Sequence, residues 1–369
     1  MQRSQLEDSD WRVRCNALKA LGSLEPAALA QHAGAMVARL EDSHSNVREV
    51  ALKALAKLEP AALAQHADAV VARLEDTVYK VRRAALRTLG NLEPMKLAQH
   101  AGAVVARLED SNSNVRRAAL HTLGKLEPDT LAQHADAVLA MLADSDWRVR
   151  RDALKALGKL GPGTLAQHAG AVVARLEDSQ GEARHEALET LSNLDTATLA
   201  QHAGAVVARV EDSVFNVRIA AMDTLSKLEP MTLAQHAGAV AARLEDSRLF
   251  WFERRAALRT LGKLKPAALA QYAGAMVASL EGVHGDVREL ALETLAKLEP
   301  MTLAQHAGVV VAKLDDPSGH ARAMACQLLE MLPRYVRYVT RGVDCKELQS
   351  RALNHGEVEE LRCQLLGRI

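Results

Sequence analysis

Aromatic side chains are scarce: Phe, Trp and Tyr together make up 3% of the 369 residues. So few rings, beside an abundance of Ala and Leu, suit closely packed helices rather than strands. Charge of one sign is not in excess either. Lys and Arg number 46 against 46 Asp and Glu, so no global field draws the chain to nucleic acid or an acidic surface, and any such attraction has to be local. The four cysteines, Cys15, Cys326, Cys345 and Cys363, form no CxxC pair and are expected to be free thiols in a reducing compartment. The chain has neither a secretory leader pattern nor an apolar run long enough to span a bilayer. A soluble, cytoplasmic protein without a membrane partner is the expectation.

What the chain does have is a repeat. Leu-Ala-Gln-His, with one Tyr variant, ends at His32, His66, His100, His134, His168, His202, His236, Tyr272 and His306, a step of 34 residues interrupted by one of 36. A period of this size marks a solenoid of stacked units, each burying its apolar face only against its neighbours. The unit from Glu25 to Leu58 predicts two helices. Pro26 suits the first turn of the first, and Leu29, Ala33, Met36, Val37 and Leu40 form its stripe. Glu41-Asp42-Ser43 favours a turn. Val47, Ala51, Ala54, Leu55 and Leu58 form the stripe of a second helix starting near Ser45. Residues 46, 49, 50, 53 and 57 fall on the opposite arc and are expected to face solvent.

The run from Asp144 to Leu160, Asp-Ser-x-x-x-Val-Arg-x-x-Ala-Leu-x-x-Leu-Gly-x-Leu, resembles the HEAT-repeat family, in particular short HEAT-like repeats of the phycobilisome-lyase type. The Trp/Gly/Tyr signature of tetratricopeptide repeats and the Gly-rich base-reading loop of TAL-effector repeats are both missing. The resemblance implies an all-α, armadillo-like α-α superhelical solenoid of about ten helix pairs, with the second helices on its concave side. It also implies a ladder in which each turn Asp bonds the Arg of the following helix: Asp8 with Arg14, Asp42 with Arg48, Asp76 with Arg82, Asp110 with Arg116, Asp144 with Arg150, Asp178 with Arg184, Asp212 with Arg218, and Asp316 with Arg322. Gly282 removes the acid that would face Arg288, and the two-residue insertion sets Asp246 eight residues from Arg254, so irregularity is expected there.

Function has to be sought where the units differ. One variable set is the exposed arc of the second helices, where Lys53, Lys80, Arg83, Arg87, Arg117, His121, Arg148, Arg151 and Lys155 collect in the first half against Asp152, and Arg255 and Arg259 recur later. Drift of duplicated units and a differentiated binding surface both account for this variation. A basic groove of this kind suits phosphates or an acidic peptide. A second set is aromatic: Trp11, Tyr79, Trp147 and Phe215 occupy one turn position in alternate units, and the insertion adds Phe250, Trp251 and Phe252. These rings are candidate anchors for a partner or local staples over the helix start.

The histidine row does not suit a metal. Stacked helices lie about 8–10 Å apart, too far for adjacent units to share an ion through this row at roughly 2 Å per bond. His185-Glu186 is similar to the His-Glu motifs of deoxyhypusine hydroxylase, but it stands alone. No phosphate loop, nucleophile elbow or recurring acid pair outside the ladder is present, so no catalytic, cofactor or metal residue is assigned and no enzyme is expected. Residues 1–332 are expected to form the solenoid, its first unit incomplete and open to self-association, and 333–369 a helical cap. The expected function is a scaffold for protein or peptide partners, through the concave second-helix surface and the aromatic edge. The alternative is nucleic-acid or polyanion binding in the basic groove.

Overall fold

The computed structural model describes residues 5–246 and 249–332. The cap expected at 333–369 lies outside the described residues, as do Cys345 and Cys363. The fold is an all-α superhelical solenoid of repeated helix pairs. It divides into two compact units, residues 1–195 and 196–369. In the first, the second helices of successive repeats are Trp11–Leu21, Ser45–Leu55, Tyr79–Leu89, Ser113–Leu123, Trp147–Leu157 and Gly181–Leu191. In the other unit they are Phe215–Leu225, Trp251–Leu261, Gly285–Leu295 and Gly319–Met331. Among the described residues no helix is long and apolar enough to cross a membrane.

The second helices start where the pattern predicts, and Leu29, Met36, Leu40, Val47, Ala51, Leu52 and Leu55 are all buried. Each fully buried Leu stabilises the stack by about 1.5–3 kcal/mol. The first helix is not the single rod expected. It forms Pro26–Ala30 and Ala33–Ala38, then a 3₁₀ turn at Arg39–Glu41. The break falls at His32, whose backbone sits at φ −105°, ψ 4°, in the sparsely allowed bridge region. Its N–H bonds the Leu29 carbonyl at 2.9 Å, and its own carbonyl accepts from Met36 N–H at 3.1 Å, starting the next segment. The histidine row therefore marks the break in the first helices among the described residues, with Tyr272 taking the same place once. The opposite arc is also less open than expected: residues 46, 49 and 50 are only half-buried, whereas 53 and 57 are exposed.

The ladder exists with different partners. Arg48 donates from Nε to Asp76 Oδ2 at 2.7 Å and from Nη2 to Asp76 Oδ1 at 2.9 Å, 28 residues ahead in the next repeat. Its Nη1 donates to the backbone carbonyl of Asp42 at 2.8 Å, so the expected partner contributes its carbonyl, not its carboxylate. Asp42 Oδ1 meanwhile accepts from the N–H of His44, which ties the carboxylate to its own turn. The same two-pronged bond joins Arg14 to Asp42, Arg82 to Asp110, Arg116 to Asp144, and Arg150 to Asp178. The within-repeat pairs implied by the resemblance, from Asp8 with Arg14 to Asp316 with Arg322, are corrected accordingly. Arg184 donates to the Asp178 carbonyl at 2.8 Å, and Arg322 to that of Asp316 at 2.7 Å.

In the second compact unit, of the two irregularities expected, the one at Arg288 is absent and the one at Arg254 is present. Arg288, expected to lose its acid to Gly282, holds Asp316 at 2.6 and 2.7 Å and the Gly282 carbonyl at 2.9 Å. Arg218 keeps the Asp212 carbonyl at 2.7 Å but pairs with the fully buried Glu253 at 2.6 Å instead of a turn Asp. Arg254 has no turn acid ahead of it among the described residues, since Gly282 stands 28 residues on. It donates to the carbonyls of Leu244 and Asp246 at 2.7 and 2.8 Å.

Further bonds cross the repeats. Lys57, Asn91, Lys125 and Asn193 donate to carbonyls at the end of the preceding second helix, those of Gly22, Ala56, Gly90 and Gly158. Arg39, Arg73, Arg107 and Arg175 bond the carbonyls of Leu6, Leu40, Leu74 and Leu142. A cation at a helix C-terminus satisfies a carbonyl that the helix leaves open and complements its dipole.

Two predictions follow from the rungs. Asp110 and Arg82 form a pair whose side chains are 3% and 13% exposed; removing one partner leaves a buried charge uncompensated, so Asp110→Ala is expected to cost about 3 kcal/mol. Urea unfolding checks this, and a variant that unfolds with the parent contradicts it. Burial pushes the carboxyls of Asp42, Asp76, Asp110, Asp178 and Asp316 upward, but the facing arginines and backbone N–H groups outweigh it and hold them below the usual range. Groups with a depressed folded pKa contribute stability above the unfolded value of about 4 and lose it as pH falls through the folded values. The urea midpoint should thus hold steady from neutrality to about pH 5 and decline below about pH 4; a midpoint independent of pH in that acid range is the contrary result.

Candidate functional site

Three neighbouring second helices of the first compact unit, Ser45–Leu55, Tyr79–Leu89 and Ser113–Leu123, frame a cleft of about 540 Å³. Lys53, Arg83, Arg87, Arg117, His121 and Lys125 line it, with Asn91 and Asn114, and none of its lining residues is an acid. The periodicity explains the convergence. Lys53, Arg87 and His121 are spaced by the repeat, as are Arg83 and Arg117, so stacking aligns them in rows.

The cations differ in what already holds them. Arg83 and Arg87 have no carboxylate partner among the described residues. Lys53 pairs with Glu49 at 2.6 Å on its own helix, and Lys125 is tied to the Gly90 carbonyl at 2.7 Å. Arg117 Nε donates to Asp152 Oδ2 at 2.8 Å, and His121 Nε2 lies 3.3 Å from the same oxygen. Arg151 takes the other oxygen of Asp152 at 2.8 Å. Asp152 is only 2% exposed. Its burial pushes its carboxyl upward, but the bonds from His121, Arg151 and Arg117 outweigh that and hold it far below the usual range.

Asp152 is thus a buried hub fixing one wall of the cleft, a role that the count of exposed charges did not reveal. The signal was available: the equivalent positions in the three preceding repeats are Val50, Ala84 and Ala118, and an acid replaces them only here and at Glu186. Burial pushes the Glu186 carboxyl upward, with Lys155 and His185 pulling the other way.

The remaining basic candidates are not brought together with the cleft. Lys80, Arg148 and Lys155 are exposed elsewhere on the first compact unit. Arg255 is exposed in the second, where Arg259 pairs with Asp223. Among the described residues no group of His, Cys, Asp and Glu has the arrangement of a metal site.

Trp11, Tyr79, Trp147, Phe215 and Trp251 are the first residues of second helices rather than parts of the turns before them, and Phe250 immediately precedes its helix. Trp11 stacks on His44 of the next repeat, ring centroids 4.1 Å apart and 4° from parallel. Arg148 and Arg151 lie over Trp147 at 4.9 and 5.6 Å, and Tyr79 is half-buried at its helix start. In the other unit Phe252 touches Phe215, Phe250 and Trp251, with centroids 5.3–5.6 Å apart. Trp251 also meets His284 of the following repeat at 5.5 Å. Phe250 and Phe215 remain 58% and 41% exposed.

A model of HEAT repeats matches residues 3–90, 67–158 and 103–192, together just over half of the chain. No curated protein matches it in sequence. Among solved structures, Kap121p bound to Pho4p superposes with a TM-score of 0.59 at 14% identity, over 99% of this chain and 45% of that one. Kap121p bound to Nup53p gives 0.59 at 13% identity, also over 99% and 45%. The chain therefore spans less than half the length of those neighbours. An engineered protein is 17% identical over 100% of this chain and 97% of its own, with a TM-score of 0.49. With the family model matching overlapping stretches from residue 3 to residue 192, just over half of its length, this chain belongs to the HEAT-repeat family.

Proposed function

We propose that the chain is a non-enzymatic interaction scaffold that holds an acidic segment of a protein partner in the basic cleft. The observation that carries this reading is the convergence of five cationic side chains and a histidine on a cleft without an acid in its lining. Arg83 and Arg87 supply forks that match carboxylates in pairs. Arg117 and His121 are held in place by Asp152, so little side-chain freedom is lost when a ligand arrives. The volume of about 540 Å³ lies within the range of a bounded ligand site.

Duplex DNA, with one charge about every 1.7 Å, calls for a longer positive track than this cleft, whose Arg117 and His121 are already held by Asp152 and beyond which the chain carries Glu186 and Glu189. A protein partner is also in keeping with the fold neighbour, which is seen bound to Pho4p and to Nup53p. The half-buried rings of the first compact unit, Trp11, Tyr79 and Trp147, would add apolar contacts of the kind that dominate interfaces.

Fluorescence anisotropy with a labelled oligoglutamate peptide tests the reading. Binding should weaken as salt rises, and the double variant Arg83→Glu, Arg87→Glu should lose affinity by about tenfold or more. Failure of the peptide to bind at low salt, or tighter binding of duplex or single-stranded nucleic acid than of the peptide, overturns it.

A further inference from the structure

The second compact unit contains one rung from which the acid is missing. In the regular rungs an Asp carboxylate sits between the preceding repeat's Arg and the N–H two residues on, as Asp76 does between Arg48 and Val78 N–H, 2.9 Å away. Gly282 takes that place ahead of Arg254. Its backbone, at φ −65°, ψ 145°, matches that of Asp76, at −60°, 141°. The turn thus has the backbone conformation of one that carries an Asp, and an added Cβ would lie 3.2 Å from the Ser279 carbonyl oxygen, which has to give by a few tenths of an ångström to admit it.

What surrounds the gap is also unlike the other turns. Phe250, Trp251, Arg254, Gly282, Val283 and His284 line a cavity of about 420 Å³. Arg254 has five N–H groups, and among the described residues its side chain bonds two carbonyls, those of Leu244 and Asp246. It has no carboxylate partner among the described residues. Glu281 also lines the cavity, but it is 75% exposed and pairs with Lys313 at 3.4 Å. The residue after the turn acid is Ser43, Thr77, Ser111, Ser145, Ser179 or Ser213 in other repeats; here it is Val283, 92% exposed, beside Phe250 at 58% and Trp251 at 37%. A charge position without its charge is thus rimmed by apolar side chains turned to solvent, a patch that calls for a partner.

We propose that this open rung is a docking site for a peptide whose Asp or Glu side chain takes the place of the missing turn carboxylate. The ligand carboxylate bonds the Arg254 fork and the His284 N–H, and an apolar residue next to it in the peptide packs on Phe250, Trp251 and Val283. The charge-assisted pair sets the register, and the apolar contact supplies the burial. The site is independent of the basic cleft and stands or falls separately from it.

Phage display of random short peptides on the full chain, with counter-selection on Gly282→Asp, tests the proposal. The variant supplies its own carboxylate to Arg254, so it should resist urea better than the parent and no longer bind the selected peptides. Gly282→Asn, similar in size but uncharged, separates filling of space from pairing of charge and should gain no such resistance. Selected sequences should carry an acid beside an apolar or aromatic residue. Changing that acid to its amide should weaken binding to the parent by about tenfold or more, a measurement that does not depend on any variant folding. Peptides enriched without an acid, unchanged affinity after the amide substitution or on Gly282→Asp, or no enrichment over the counter-selection would each overturn the proposal.

Discussion

The forked bond from one repeat's arginine to the next repeat's aspartate carries a constraint that apolar packing alone does not supply. Leu and Ala stripes are non-directional and tolerate a slide of one helix along another; a guanidinium with two prongs on one carboxylate does not. Arg48 fixes three things together, its own turn through the Asp42 carbonyl, its own helix, and the following turn through Asp76. Asp76 in turn closes its own loop on Val78 N–H. The Lys and Asn bonds to the ends of the preceding helices fix the other end of each pair. A repeat is thus pinned at both ends of its second helix, with the Leu core between.

Much of this architecture was legible because periodicity is a long-range signal. The second helices show it best: helical spacing of Val47, Ala51, Leu55 and Leu58, preceded by a polar turn, places Ser45–Leu55 without further information. The break in the first helix was not legible, since neither Gln31 nor His32 has the shape of a helix breaker. The rung partners illustrate a deeper limit. Within the repeat an Arg follows its Asp by six residues, and across the repeat it precedes the next by 28; these sum to the period, so a regular sequence satisfies both pairings equally. Only the direction in which the side chain leaves the helix decides, and that is a three-dimensional fact.

The candidate site was partly legible for the same reason. Lys53, Arg83, Arg87, Arg117 and His121 could be grouped by a helical wheel repeated along the stack. A wheel does not distinguish a cation open to ligand from one already held. Lys53 was counted with the groove charges, yet it pairs with Glu49 on its own helix. Arg151 was counted as well, yet it turns to Asp152. At Gly282 the departure was visible but its effect was placed at Arg288, because the wrong partner had been assumed throughout.

The forward reach of the rungs also bears on how such an array changes its number of repeats. Where every junction is an Arg meeting the same Asp, removing or copying a whole repeat rebuilds an equivalent junction: Arg48 would meet Asp110 as it meets Asp76. Recombination among the early repeats therefore leaves the interfaces chemically unaltered. The pair Arg218 and Glu253 uses another acid, yet each early repeat placed ahead of it supplies the same guanidinium. The turn at Gly282 behaves differently: whichever arginine precedes it meets no turn carboxylate there, so a rearrangement moves that gap along the array without closing it.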